Sequence, residues 1–287
     1  MAFNWQTFKT RALTAIVFVL VMGVGLLWSR WSFFILFSFV HFGCWIEYQK
    51  LVLKFNPEYA LTTTFHRYAL MIGGWCLLLF FTNNELSIGN VWLTEAGFWT
   101  GLAIALILPM AELLRPKNFL LKNFGYSISG LLYISIPLAL MIDLRNRWIE
   151  EQASLVTTIP LLVIFSLWIN DTMAYIVGSL IGKTQLSAIS PKKTWEGTIG
   201  GIILTIVVIG LLAYFTGRIS VIHASVMAAL AGVAGTFGDL MESKLKRMAG
   251  VKDSGTIMPG HGGFLDRFDS ILFAVVVVWF YAVICFG

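Results

Sequence analysis

Between residues 238 and 269 the chain concentrates the side chains that phosphate chemistry requires. Asp239, Glu242 or Ser243, and Lys246 stand three or four residues apart, so a helix through them puts them on one face, with Arg247 alongside. Lys252, Asp253, Ser254 and Gly255 follow, and then an unbroken tract from Pro259 through Gly260, His261, Gly262, Gly263, Phe264, Leu265, Asp266, Arg267 and Phe268 to Asp269. Asp266 and Asp269 are three apart and can share a helical face of their own. Hard carboxylates in such pairs suit Mg²⁺ better than the thiolate and imidazole sets that bind zinc. Lys252, Arg267 and the backbone N–H groups of the glycine-rich turn can hold phosphate oxygens. His261 can donate to a phosphate or can simply fix the loop. An ordinary helix with an i,i+4 ion pair would account for Glu242 and Lys246, but not for the density of opposed charges that follows.

Two earlier tracts add to this set. Ser190, Pro191, Lys192, Lys193, Thr194, Trp195, Glu196 and Gly197 form a basic run in which Ser190 and Pro191 can start a helix with free N–H groups at its first turn. Lys192 and Lys193 would add positive charge where an anion is already favoured. Gly197, Gly200 and Gly201 permit close approach by another helix or a ligand. The plainer alternative is a topogenic basic loop with packing glycines. Asn170 and Asp171 interrupt a long apolar stretch. Asp171 is expensive there unless paired or hydrated, which makes it a functional candidate; otherwise the helix ends near Ile169 and Asp171 caps the next segment.

The elements that must position these groups follow from composition. Of the 287 residues, 58% are hydrophobic and 12% charged, too little polar surface for a water-soluble fold of this size. The apolar residues form blocks near the roughly 20 residues that cross a bilayer as a helix, near 12–29, 31–48, 68–82, 96–114, 125–142, 157–180, 199–217, 222–238 and 270–286. The pattern predicts an all-α polytopic membrane protein with about nine transmembrane helices, because backbone groups in lipid must be paired within the segment or in a closed sheet. The short alternating segments of a β-barrel are not seen. The sixth stretch is too long and too polar in its second half for a simple crossing, so a tilted, broken or extended helix is expected.

With the N-terminus cytoplasmic, nine spans place all but Arg30, Arg145, Arg147 and Arg218 of the 20 Lys and Arg residues on the inside, as the positive-inside rule requires, and put the C-terminus on the opposite side. The first span, preceded by Lys9 and Arg11, lacks a small-residue cleavage site and reads as an uncleaved helix. The net charge of +5 lies in short loops, where lipid headgroups and topology explain it without nucleic acid. Cys44, Cys76 and Cys285 form neither a metal-ligand pattern nor a disulfide framework. The simplest organisation is a single membrane domain over 1–287, with 1–156 mainly helical packing and 157–287 carrying the catalytic site.

The spaced tract over residues 243–269 resembles the signature of the phosphatidate cytidylyltransferase family, also called CDP-diglyceride synthases. Asn170 with Asp171 and the run from Ser190 to Gly197 also resemble family features, whereas the N-terminal half is similar only in size and hydropathy. One departure is Met258, where Leu, Ile or Phe is expected; it remains apolar. The resemblance implies a Mg²⁺-dependent membrane enzyme that joins CTP to phosphatidic acid, giving CDP-diacylglycerol and pyrophosphate, in the cell inner membrane with its active site facing the cytoplasm. By the family pattern Asp239 and Asp266 become the leading metal ligands, with Asp269 or Asp171 as supports. Lys192, Lys193, Lys246, Arg247, Lys252 and Arg267 then divide between nucleotide and lipid phosphate, with Asn170, Asp253 and His261 as further substrate-binding candidates. The partners are the two substrates and the lipid bilayer, with a second copy of the chain, in a homodimer, as a further candidate.

The resemblance also suits the chemistry. A phosphate monoester is largely ionised at neutral pH, since its second pKa is about 6, so the difficulty is not deprotonation but the approach of one anion to another. Cations at the α-phosphate relieve that difficulty. The alternative is a related CTP-dependent lipid or polyprenol kinase. A CDP-alcohol phosphotransferase would need an Asp-Gly-x-x-Ala-Arg motif that is absent, and a transporter would leave the polar tract before the last span unexplained.

The expected sidedness can be checked by single cysteines in a chain freed of its three native ones. In right-side-out membrane vesicles, Arg218→Cys is expected to react with a membrane-impermeant maleimide, and Lys54→Cys only after the membrane is opened. The reverse pattern would invert the topology.

Overall fold

The structure is a computed structural model that describes residues 5–114, 121–147, 154–256 and 262–286, with only the backbone described at 5–12 and 121. Helices dominate. In chain order they are α1 (Trp5–Leu27), α2 (Arg30–Phe55), α3 (Thr64–Phe80), α4 (Leu93–Leu113), α5 (Leu121–Gly130), α6 (Ile136–Asn146), α7 (Leu155–Ile181), α8 (Trp195–Thr216), α9 (Val221–Met248) and α10 (Leu265–Phe286). Two short antiparallel hairpins, β1 (Ser87–Ile88) with β2 (Val91–Trp92) and β3 (Gln185–Ser187) with β4 (Ser190–Thr194), were not expected from the sequence.

Among the described residues, seven helical runs are long and apolar enough to cross a membrane; α3, with 17 residues, is shorter than that measure. The expected crossing at 125–142 is one of the seven, but it is built from α5 and α6 joined by a π-helical turn at Leu131–Ser135. That turn serves a polar contact. Ser135 is buried, and its Oγ accepts a hydrogen bond from Trp45 Nε1 at 2.8 Å and lies 3.0 Å from His41 Nε2, both on α2. An extra residue in a helical turn is a common way to aim one side chain at such a partner.

The chain divides into two compact units. One comprises Met1–Ile142 with Met248–Phe268, and its core is formed by Phe33, Phe37, Trp45, Tyr59, Leu78 and Ile134. Within it α2 begins with a capping box, in which Ser29 and Ser32 satisfy each other's backbone N–H groups. Buried polar groups are paired there too: Tyr59 Oη and His66 Nε2 both reach Ser127 Oγ, at 2.9 and 3.0 Å, and Asn56 donates to Asn123 at 2.9 Å.

The other unit comprises Asp143–Arg247 with Asp269–Gly287. Here α7 and α8 meet through small residues. A Cβ at Gly197 would lie 2.7 Å from the carbonyl oxygen of Ala174, and one at Gly201 would lie 2.9 Å from the Ala174 nitrogen. The glycines after Glu196 therefore serve helix packing, one of the two uses the sequence allows. The start of α8 differs from expectation. Ser190 and Pro191 do not open a helix: residues 190–194 pair with β3 as a strand, and Thr194 caps α8 by accepting a hydrogen bond from Gly197 N at 3.1 Å. The physical reason is Glu196, whose carboxylate accepts from the backbone N–H groups of Lys183 and Thr184 and ties the base of the hairpin to the first turn of α8. At the opposite end of this unit, Asp143 Oδ2 accepts from Trp279 Nε1 and Arg147 Nε, each at 2.6 Å, anchoring α10 to the end of α6.

Overpacking at a backbone contact costs about 1–3 kcal/mol, so Gly201→Leu is expected to lower the thermal midpoint in detergent. Gly217→Asn is expected to leave it unchanged, because Gly217 has φ +61°, which Asn tolerates, and nothing lies within 4 Å of a Cβ there.

Candidate metal and phosphate site

The 27 residues of α7 span about 40 Å at 1.5 Å each, longer than the roughly 30 Å of a hydrocarbon core. The helix is continuous through Asn170 and Asp171, so it does not end near Ile169 and Asp171 caps nothing. Asn170 is buried, and its Oδ1 lies 3.4 Å from where a Cβ on Gly232 of α9 would stand. Asp171 points to the exposed side of α7 and is close enough to act electrostatically on Asp269.

Helix α9 continues as expected through the apolar segment into the polar tract, as one rod from Val221 to Met248. Its glycines set the site. A Cβ at Gly238 would lie 2.5 Å from the carbonyl oxygen of Asp269 and 3.1 Å from Ser270 Cα, so α9 and α10 touch backbone to backbone at that level. Gly235 is similarly crowded, by Leu167 and Ser270. This approach brings Asp239 and Glu242 of α9 to Asp269 of α10, and a carboxylate oxygen from each of the three lies within 4.8 Å of the others. Asp239 is half-buried, Glu242 and Asp269 buried. Two ammonium groups oppose them: Lys193 from β4 forms an ion pair with Asp239, and Lys246 pairs with Glu242 at 2.5 Å. Ser243 Oγ approaches Asp239 Oδ1 at 3.5 Å.

Three hard oxygen donors fit a Mg²⁺-type ion, which takes carboxylates and keeps several waters, better than the cysteine and histidine sets typical of zinc. Of the expected ligands, Asp239 and Asp269 are brought together. Glu242 joins them as a third, not assigned to metal from the sequence, although its position three residues after Asp239 on one helical face was the available signal.

Asp266 is held within the other unit. Its Oδ2 accepts hydrogen bonds from Ser254 N (2.8 Å), Ser254 Oγ (2.9 Å) and Gly263 N (2.7 Å), which close the segment after Lys252 and Asp253 onto the start of α10. A second buried carboxylate, Glu47 of α2, accepts from Ser254 Oγ (2.7 Å), Phe264 N (2.9 Å) and Leu265 N (2.9 Å). Glu47 carries no sequence motif and was not anticipated. Lys252, Asp253 and Arg267 are exposed in this unit, as are Lys192 and Arg247 in the other, while Lys193 and Lys246 are half-buried. His261 and Met258 lie outside the described residues.

The family model described as the cytidylyltransferase family matches residues 9–285. The chain is 36% identical over 218 residues to a phosphatidate cytidylyltransferase of Synechocystis sp., covering 67% of this chain and 72% of that one. It is 33% identical over 190 residues to the phosphatidate cytidylyltransferase of Staphylococcus saprophyticus, covering 63% and 70%. To that of Bacillus subtilis it is 37% identical over 180 residues, covering 62% and 65%.

The three-carboxylate cluster makes a binding prediction that is independent of any reaction. Titration with Mg²⁺ or Mn²⁺ is expected to raise the thermal midpoint of the protein by a few degrees, since a ligand at about 100 times its Kd stabilises by about 2.7 kcal/mol. Asp269→Asn is expected to abolish that rise, and an unchanged rise in the variant would remove Asp269 from the ligand set.

Proposed function

Because the chain belongs to the cytidylyltransferase family, we propose that it transfers a cytidylyl group from CTP to phosphatidic acid, forming CDP-diacylglycerol and pyrophosphate. The observation that carries the reading is the convergence of Asp239, Glu242 and Asp269 with Lys193 and Lys246, a set of carboxylates and ammonium groups suited to a polyphosphate with its cations. The names of the relatives supply the substrates.

In this reaction an ionised oxygen of the phosphatidate monoester attacks the α-phosphorus of CTP. The new P–O bond forms as the bond from that phosphorus to the α–β bridging oxygen of CTP breaks, and that oxygen leaves with the electron pair as a terminal oxygen of pyrophosphate. No strong base is needed, because the attacking oxygen is already largely deprotonated at neutral pH. Asp239, Glu242 and Asp269 would hold Mg²⁺, which when bound would neutralise and align the phosphates. The family pattern makes Asp266 a metal-ligand candidate as well. Lys193 and Lys246, now paired with Asp239 and Glu242, would turn to phosphate oxygens as those carboxylates are engaged. They would stabilise the charge spread over the transferring group and the departing pyrophosphate. Lys192, Arg247, Lys252 and Arg267 supply further positive charge for nucleotide and lipid headgroup. Asp171, close enough to act electrostatically on Asp269, stands as a support of the ligand set, and Asn170 as a substrate-binding residue.

The same reading sets the membrane arrangement: about nine crossings, an N-terminus in the cytoplasm, and an active site at the cytoplasmic face of the inner membrane. CTP arrives from water while the diacyl tails remain in hydrocarbon, so only the headgroup has to meet the nucleotide.

The test is purified protein in detergent micelles with phosphatidic acid, CTP labelled in the cytosine ring and Mg²⁺. The expected outcome is labelled CDP-diacylglycerol from the parent and at least a 100-fold lower rate from Asp239→Asn and Asp266→Asn, the scale of loss when an electrostatic element of a transition state is removed. Label that stays in CDP while a lipid alcohol gains phosphate would identify a kinase instead.

A further inference from the structure

Glu47 sits in α2, a helix that the sequence marks only as apolar, yet its carboxylate is 2% exposed and makes three hydrogen bonds to the segment that carries the phosphate-chemistry signature. Two of the donors, Phe264 N and Leu265 N, are N–H groups at the start of α10, which lack partners within that helix. A side chain 218 residues away from Leu265 thus does the work usually left to a local cap. The third donor is the hydroxyl of Ser254, which is also 2.9 Å from Asp266 Oδ2. A hydroxyl has one proton, so it serves one carboxylate at a time, while Ser254 N and Gly263 N hold Asp266 in either case. The fit is close on every side. A Cβ on Gly255 or on Gly263 would collide with the Glu47 carboxylate, and one on Gly43, a turn before Glu47, would collide with the Phe264 ring.

We propose that Glu47 is a positioning residue for the cytidylyl transfer: it fixes Ser254 and the first turn of α10, and through them the orientation of the Asp266 carboxylate. The proposal rests on the reaction assigned above. A carboxylate is required because two N–H groups and a hydroxyl converge on its two oxygens from different directions. An amide of the same size offers one oxygen to them and turns two further N–H donors toward the rest. An apolar residue would leave all three donors buried without an acceptor.

The experiment compares the full chain with Glu47→Gln and Ser254→Ala in detergent micelles, measuring kcat and KM for CTP, the thermal midpoint, and amide hydrogen exchange over residues 252–268. Glu47→Gln is expected to lower kcat at least about ten-fold, as when partners behind a functional carboxylate are removed, with KM for CTP within about two-fold. Its thermal midpoint should stay near that of the parent while exchange at Phe264 and Leu265 quickens. Ser254→Ala, which keeps the Ser254 N bond to Asp266, is expected to lose less. An unchanged kcat in Glu47→Gln would overturn the proposal. So would a loss that matches a fall in the folded fraction, or one expressed only in KM for CTP. Should the parent make no CDP-diacylglycerol, the assigned reaction fails by itself, and unaltered exchange at Phe264 and Leu265 in Glu47→Gln would separately overturn the link from Glu47 to α10.

Discussion

Three carboxylates within 4.8 Å of one another at the end of apolar helices repel, and the construction around them answers that repulsion. At an effective dielectric constant of about 20, two unit charges at that separation oppose each other by roughly 3–4 kcal/mol. Burial of Glu242 and Asp269 removes the water that would otherwise screen them. The opposition is met by Lys193 and Lys246. It is tolerated because α9 and α10 are locked together beside it: with no Cβ at Gly235 or Gly238, the helices cannot relax apart without losing backbone contact. The same absence of side chains that permits the packing sets how closely the acids approach.

A parallel logic holds in the unit built from the N-terminal helices. Both oxygens of Glu47 and the Oδ2 of Asp266 accept from backbone N–H groups and from Ser254. These hydrogen bonds hold the segment after Lys252 to the start of α10. Such bonds are directional, and inside a low-dielectric surround they orient a carboxylate more tightly than a mobile ammonium would. The buried clusters at Ser127 and Ser135 stiffen the same unit, tying α2 and α3 to the run formed by α5 and α6. The helices that look like plain membrane filler thus hold polar fastenings, and one of them reaches the signature segment.

Much of this was legible in the sequence for clear reasons. Hydropathy works because a helix in lipid must satisfy its own backbone, so each long apolar block from 31–48 onward met a helix. The continuation of α9 into its polar tract followed from the three-and-four spacing of Asp239, Glu242, Ser243 and Lys246. The misreadings were local. Ser190 and Pro191 carry a genuine helix-start signal, but Glu196 captures the backbone of Lys183 and Thr184 and makes a hairpin the better solution. The alternative reading of Asp171 as a cap fails because α7 runs on through it to Ile181, with Asp171 on an exposed face.

The sequence by itself determined the helical membrane class and the kinds of groups available: hard acids, ammonium and guanidinium groups, and glycines near them. Those follow from composition and short-range spacing, which bind each residue to its near neighbours. Tertiary structure alone decided which acids converge. Glu242 entered the cluster, Asp266 turned to Ser254 and Gly263, and Glu47 came to cap α10, because helix rotation and the distance between packed backbones depend on the shapes of residues far apart in the chain. No periodicity within one segment encodes that, since the constraint acts between surfaces and not along the chain.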